Sequence, residues 1–178
     1  MIEKSKKCKL ALAFATKKHE GQTRKLGEPY ITHPIAVAEM MLEKGLSEDY
    51  IIAAIFHDLL EDTNATEKEI SDIGGEAVLE AVKLLTKAPD YKMDSYIAGI
   101  KENPIARAVK AADRIHNLSC ARVCSEGFKL RYIKESIDWY LDFDPQVAVL
   151  VRGLLGTLEN PESVPREHLE RLNAFSDK

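Results

Sequence analysis

A histidine and an aspartate stand side by side after an apolar stretch, and two further acidic residues follow within one helical turn. His57 and Asp58 come directly after the apolar run 51–56, and Glu61 and Asp62 come next. Residues three and four apart share a helix face, so a continuous helix brings both acids beside this pair. Carboxylates crowded at a helix C-terminus repel one another and oppose the helix dipole, which a bound cation relieves. Glu61 and Asp62 alone fit a solvated acidic helix end equally well, whereas burying Asp58 without a partner is expensive.

Two other segments carry residues of the same chemical kind. His33 stands at the predicted start of a helix, and Asp113 follows a mostly apolar stretch with Asn117 one turn further along the same face. Each has a simpler explanation on its own, since such a histidine is commonly a cap and an Asp-Arg pair commonly a local ion pair. Together with His57 and Asp58, they indicate a metal site of two imidazoles and two carboxylates.

This donor set restricts both the ion and the reaction. Imidazole and carboxylate ligands suit a divalent ion such as Mn²⁺ or Fe²⁺, whereas Ca²⁺ prefers oxygen ligands and structural zinc usually recruits thiolates. Glu61 and Asp62 are left over, and acids in that position can orient or deprotonate a water on the metal. The pattern therefore favours hydrolysis, above all of a phosphate ester or anhydride.

Helices must position these residues, because helical periodicity dominates the chain and no convincing strand alternation occurs. The loop 21–30 is polar and carries two glycines and a proline as breakers. Caps and breakers predict helices at about 6–20, 32–45, 48–62, 67–73, 76–87, 93–101, 104–123, 128–143, 145–158 and 165–175. We expect a single all-α domain, residues 1–178, built as a helical bundle.

Length and composition exclude several classes of protein. A chain of 178 residues fits one domain and is not expected to hold a second full-sized one. The net charge of −4 disfavours a generic nucleic-acid binder, and no apolar stretch is long enough to span a membrane. The odd count of cysteines (Cys8, Cys120, Cys124) without zinc spacing indicates reduced thiols and a cytoplasmic protein. The sequence neither requires nor excludes a homo-oligomer.

Several motifs together resemble the hydrolase domain of RelA/SpoT-type enzymes, within the HD-domain phosphohydrolases. The matching segments are 14–15, 19–25, 27–34, 57–58, 61–63 and 112–118. They occur in the family's order over roughly residues 10–120, and beyond about residue 125 the match is general only. The family degrades the alarmone (p)ppGpp by removing its 3′-pyrophosphate. With no synthetase domain following, the chain resembles the stand-alone small alarmone hydrolases, and the resemblance implies an HD-type fold.

The resemblance also implies roles for individual residues. It implies one Mn²⁺ ion held by His33, His57, Asp58 and Asp113. The acids that match the pair orienting or activating the attacking water are Glu61 and Asp62. The residues that match substrate contacts are Arg24, Lys25 and Asn117 and, through a looser alignment, Lys129 and Arg131. Tyr30 is expected to pack rather than to stack on the nucleotide.

Two departures from the family pattern bear on the substrate. Leu26 stands where longer members often have a small polar residue, and Cys120 stands where they often have threonine. These differences bear on which nucleotide the protein prefers more than on the hydrolytic reaction itself. We expect Mn²⁺-dependent hydrolysis of (p)ppGpp to GDP or GTP and pyrophosphate. One alternative is an HD phosphohydrolase acting on another nucleotide, which the basic pair 24–25 argues against. Another is a non-catalytic nucleotide sensor, which has little need of both leftover acids.

Overall fold

The computed structural model describes Ile2, residues 5–25 and residues 27–175, and within them the regular structure is helical. Leu26, one of the two departures noted above, lies outside the described residues. The helices are α1 (Lys6–Lys18), α2 (Thr32–Glu43), α3 (Glu48–Phe56), α4 (Leu59–Asp62), α5 (Glu67–Gly74), α6 (Glu76–Leu85), α7 (Met93–Glu102), α8 (Pro104–Cys120), α9 (Glu126–Trp139), α10 (Pro145–Leu155) and α11 (Arg166–Ala174). The described part of the chain has no β-strand, only an isolated antiparallel bridge between Thr23 and Pro29. The predicted all-α class is confirmed.

Several helices begin where their capping residues predict. Thr66 and Glu69 form a reciprocal capping box at α5: the Thr66 side chain accepts from the Glu69 N–H, and the Glu69 carboxylate accepts from the Thr66 N–H. Asp144 caps α10 by accepting from the N–H of Gln146. Ser47 occupies the cap position of α3, although its side chain makes no capping hydrogen bond.

The sequence predicts one helix over 48–62, and this prediction is wrong because the helix is interrupted. It ends as α3 at Phe56, turns at His57 and Asp58, and resumes as the single turn α4. His57 Nδ1 lies 2.7 Å from the carbonyl oxygen of Ala54, so its side chain competes for an acceptor of the helical ladder. Asp58 then starts the next turn by accepting from the N–H of Asp62 at 2.9 Å. The helix is therefore not continuous, but Asp58 and Asp62 still lie one turn apart across the start of α4.

Other predicted ends differ by a few residues, as helix ends commonly do. The predicted helix to about residue 123 becomes α8 followed by a short 3₁₀ turn, Ala121–Val123. The helix predicted over 128–143 starts at Glu126 and ends at Trp139, after which Phe143 closes a turn by donating to the carbonyl of Tyr140.

The chain divides into two compact units, Met1–Ala112 and Asp113–Lys178. In the first unit, α3 is the central element and packs against α1, α2, α5 and α6. Every residue of α3 from Ile51 to Phe56 is buried, as expected for a helix that is apolar on all sides. The turn carrying His57 thus emerges from the most buried helix of this unit, which fixes its position firmly.

In the second unit, α9 packs against α10 and α11. The Arg114 side chain is buried there, donates to Glu135 at 2.7 Å and lies 4.0 Å from the ring centre of Tyr140. Arg171 joins α11 to α9 by donating to Asp138 at 2.6 Å. A division into compact units does not test the prediction of one domain over residues 1–178. None of the described helices is both long and apolar enough to cross a bilayer.

Candidate active site

Three of the predicted metal ligands converge in the first unit. His57 Nε2 lies 3.3 Å from His33 Nε2 and 3.1 Å from Asp58 Oδ2, and His33 Nε2 lies 3.8 Å from the same carboxylate oxygen. Both imidazoles are 3% exposed and Asp58 is half-buried, so the three donors form a recessed cluster. The structure thus brings His33 together with His57 and Asp58, which lie 24 and 25 positions later in the sequence, and their role as metal ligands stays a prediction.

Main-chain hydrogen bonds hold both histidine positions, and at His57 the bond is made by the ring itself. The Ala54 carbonyl accepts from His57 Nδ1, which places a proton on Nδ1 and directs Nε2 toward Asp58. His33 lies in the first turn of α2, and its N–H donates to the carbonyl of Tyr30 at 3.0 Å. The Nδ1 contact of His57 is the common arrangement for a ligating histidine, whose second ring nitrogen is fixed by a carbonyl or a carboxylate.

The three donor atoms fit a single divalent ion of the first transition row. From their separations of 3.1, 3.3 and 3.8 Å, the point equidistant from all three in their plane lies about 2.0 Å from each atom, close to the usual bond of roughly 2.0–2.2 Å from such metals to nitrogen and oxygen ligands. A mixed imidazole and carboxylate set of this kind suits Mn²⁺, Fe²⁺ or Zn²⁺ and not Ca²⁺.

Tyr30 connects this cluster to one of the predicted catalytic acids. Its hydroxyl lies 2.7 Å from Asp58 Oδ2 and 3.0 Å from Asp62 Oδ2, so its single proton is shared between two carboxylates. Burial, and next the negative charge of Asp58, raise the pKa of this hydroxyl far above its usual value. The sequence predicts that Tyr30 packs, and its ring does so, with its centre 4.8 Å from that of the His19 ring. The polar role was missed because it depends on how the 21–30 loop folds back.

The two predicted catalytic acids have different partners. Asp62 contacts Tyr30 through its side chain, whereas Glu61 Oε2 accepts a hydrogen bond from the main-chain N–H of Lys87 at 3.1 Å. Both acids are exposed, as residues that meet a substrate and water must be. Asp62 is therefore joined through Tyr30 to the metal-type cluster, Glu61 is joined to the main chain of Lys87, and the catalytic roles of both acids stay predictions.

Asp113 and Asn117 lie in the second unit, on α8. Asp113 is buried, and its Oδ1 accepts from the Asn117 side-chain amide at 2.6 Å. The predicted sharing of one helix face is confirmed, and the amide satisfies part of the hydrogen-bonding capacity of a buried carboxylate. The roles of Asp113 as a metal ligand and of Asn117 as a nucleotide contact stay predictions.

The basic pair Arg24 and Lys25 occupies a tight turn before α2. The Arg24 N–H donates to the carbonyl of Glu28 at 2.8 Å, and the Arg24 carbonyl accepts from Gly27 at 2.9 Å. Gly27 has φ of +89°, a conformation that favours glycine. Arg24 is half-buried and Lys25 exposed, so the turn presents both cations at the surface on a fixed backbone.

The two loosely aligned basic residues belong to α9. Lys129 donates to the carbonyl of Thr157 at 3.2 Å, near the end of α10, and so stabilises the packing of these helices. Arg131 is exposed and its guanidinium lies 5.2 Å from the ring centre of Phe128. Neither contact tests their predicted role near the distal phosphates of the substrate.

Comparison with known sequences yields a family and several relatives. The profile of the HD domain matches residues 11–103. A guanosine-3′,5′-bis(diphosphate) 3′-pyrophosphohydrolase of Aquifex aeolicus is 38% identical over 138 residues, covering 73% of this chain and 20% of that protein. A GTP pyrophosphokinase of Myxococcus xanthus is 34% identical over 146 residues, 74% of this chain and 19% of that protein. The bifunctional (p)ppGpp synthase/hydrolase SpoT of Escherichia coli is 32% identical over 146 residues, 76% of this chain and 21% of that protein. The chain thus spans about a fifth of the length of these relatives.

Comparison with solved structures supports the fold. The structure described as a metazoan ortholog of SpoT that hydrolyzes ppGpp superposes with a TM-score of 0.62 at 22% identity. The match covers 97% of this chain and 95% of that one. At this identity the likeness establishes the shared helical architecture.

Proposed function

Because this chain belongs to the HD-domain family, we propose that it is a metal-dependent hydrolase that removes the 3′-pyrophosphate of (p)ppGpp, leaving GDP or GTP. The convergence of His33, His57 and Asp58 carries this proposal, since recessed metal-type donors beside exposed acids suit hydrolysis. The substrate class rests on the relatives' printed activities and on the motifs shared with RelA/SpoT-type hydrolases. Such a substrate, together with free cysteines among the described residues, favours a cytoplasmic location.

The proposed metal is one Mn²⁺ ion, with His33, His57 and Asp58 as ligands and Asp113 as the ligand implied by the resemblance. When bound, such an ion acts as a Lewis acid toward the phosphate and lowers the pKa of water. Tyr30 donates to the Asp58 carboxylate and so limits its rotation. This places two buried imidazoles and one oriented carboxylate oxygen where a divalent cation can be held.

Asp62 is the proposed acceptor of the proton from the attacking water. Water adds to the phosphorus bonded to the 3′-oxygen, the bond between them breaks, and the 3′-oxygen leaves as a hydroxyl once it has gained a proton. The contact of Asp62 with Tyr30 holds its carboxylate 3.0 Å from the hydroxyl that also contacts Asp58. Arg24 and Lys25 are the proposed cations that neutralise and orient the phosphates, an effect of both charge and position.

Metal analysis joined to an assay of pyrophosphate release tests this function. We expect the protein as purified, or after incubation with Mn²⁺, to bind one equivalent of metal and to release pyrophosphate from ppGpp. Asp58→Ala should lose both properties and keep the helical circular dichroism of the wild type. The matched control is Asp72→Ala, which removes an exposed carboxylate of the same unit that pairs only with Lys68 among its described contacts.

Two outcomes favour the alternatives. Hydrolysis of a nucleoside monophosphate or a dinucleotide phosphate, with no pyrophosphate released from ppGpp, indicates an HD phosphohydrolase with a different substrate. Tight binding of ppGpp without turnover in the presence of metal indicates a sensor. A fully active Asp58→Ala protein contradicts the proposed metal site.

A further inference from the structure

Two side chains, those of His19 and Gln22, link the end of α1 to the main chain of Asp62. His19 follows the last residue of α1 and is 3% exposed. Its Nδ1 lies 2.7 Å from Gln22 Oε1, and Gln22 Nε2 lies 2.7 Å from the carbonyl oxygen of Asp62. A carbonyl can only accept, so the Gln22 amide nitrogen is the donor to Asp62, and its oxygen must accept the proton of His19 Nδ1.

The two ring nitrogens of His19 have different surroundings. His19 Nε2 is buried and has no hydrogen-bond partner within the part of the chain that the structure describes, although buried polar atoms in folded proteins are nearly always paired. The rest of the imidazole makes two contacts. Nδ1 donates to the Gln22 amide oxygen, and the ring lies beside that of Tyr30, with ring centres 4.8 Å apart. One imidazole therefore contacts both Gln22 and Tyr30, and only its contact with Gln22 is a hydrogen bond.

These contacts hold Asp62 from two sides. Gln22 contacts its main-chain oxygen, and Tyr30 contacts its carboxylate. Gln22 and Tyr30 are themselves joined, since the Tyr30 N–H donates to the Gln22 carbonyl at 2.9 Å. The bonds within the loop are between main-chain atoms and survive a change of side chain, whereas the bond from Gln22 to Asp62 does not.

We propose that Gln22 is a positioning residue that sets the orientation of the α4 turn carrying Asp62, and that His19 acts through it by fixing the side-chain amide. The expected effect on turnover rests on the proposed function, whereas the expected effect on the order of the α4 turn does not. Gln22 contacts none of the three clustered ligand atoms in the described structure, so it should affect turnover through Asp62 and leave metal affinity largely unchanged.

The test compares Gln22→Leu, His19→Leu and His19→Asn with the wild type and with Glu20→Gln, an exposed neighbour, as control. Asparagine carries an amide N–H near the place of Nδ1, so His19→Asn keeps a donor for Gln22 and His19→Leu removes it. We expect Gln22→Leu and His19→Leu to lower kcat for ppGpp by about 10–100-fold, the usual effect of losing a residue that supports a functional side chain. KM and the Mn²⁺ dissociation constant should stay within about threefold, and His19→Asn should recover most of kcat.

A second measurement is independent of activity. Hydrogen exchange of the Asp62 and Thr63 amides reports the order of the α4 turn, since these N–H groups donate to Asp58 and Leu59. We expect faster exchange in Gln22→Leu and His19→Leu, and wild-type exchange in Glu20→Gln and His19→Asn.

The two failures are distinguishable. If the wild type releases no pyrophosphate, the proposed function fails, and amide exchange still decides whether Gln22 orders the turn. If the wild type is active while Gln22→Leu keeps both its kcat and its amide exchange, the positioning inference is overturned and the function stands. Equal loss in His19→Leu and His19→Asn would overturn the role assigned to Nδ1.

Discussion

Removal of one hydroxyl, in Tyr30→Phe, should weaken metal binding without disturbing the fold. The hydroxyl contacts Asp58 at 2.7 Å and Asp62 at 3.0 Å, and both acceptors are carboxylates. A hydrogen bond to a charged group contributes roughly 1.5–3 kcal/mol, and losing a partner of a metal ligand typically costs about 10–100-fold in affinity or activity. These magnitudes agree, since each tenfold change corresponds to about 1.4 kcal/mol. The ring, which packs against His19, is kept.

Calorimetric titration of the metal-free protein with Mn²⁺ measures this effect directly. We expect the dissociation constant of Tyr30→Phe to rise by about 10–100-fold. Tyr91→Phe is the matched control, because Tyr91 is an exposed tyrosine of the same unit whose ring contacts Tyr96. An unchanged affinity in Tyr30→Phe would refute the role given to this hydroxyl, and a weakened affinity in the control would point to a nonspecific effect.

Three further predictions concern stability. Thr66→Ala removes the cap of α5 and should lower the free energy of unfolding by about 1 kcal/mol in urea titrations, with an unchanged m-value. The hydrogen bond from the Thr66 main chain, followed by that from Lys18, lowers the pKa of Glu69 in the folded protein. The stability that Glu69 contributes is therefore present above its pKa in the unfolded chain, and it is lost as the pH falls through its lower pKa in the folded protein. Glu69→Gln should therefore flatten the acid side of the stability profile, and an unaltered profile would contradict this. Arg114→Met removes the hydrogen bond to the partly buried Glu135 and should cost about 1.5–3 kcal/mol, whereas Arg166→Met, which breaks an exposed pair, should change stability by less than about 1 kcal/mol.

The sequence predicts the helical class and the metal-type cluster because both depend on local or strongly patterned signals. Capping residues such as Thr66 act on main-chain atoms three residues away, so their effect is visible in the sequence. His57 and Asp58 follow a fully apolar helix, and His33 follows a loop with clear breakers, so their residue types and surroundings mark them as unusual.

The remaining features depend on contacts that spacing does not encode. At the break after Phe56, the His57 side chain bonds to the Ala54 carbonyl. The periodic apolar pattern is the same for a broken and for a continuous helix, so it does not reveal this break. Glu61 and Asp62 also have different partners, Lys87 and Tyr30, which their spacing does not reveal. The polar roles of Tyr30 and Gln22 require the loop before α2 to fold back onto α4, and no residue pattern signals this.

The most direct test of the central claim is mass spectrometry of the products formed from ppGpp in ¹⁸O-labelled water by the Mn²⁺-loaded protein. We expect GDP without label and pyrophosphate carrying one ¹⁸O atom, because water attacks the phosphorus bonded to the 3′-oxygen. The metal-free protein should form neither product. Release of single phosphate groups, label in the 3′-hydroxyl of GDP, or equal turnover without metal would contradict the account.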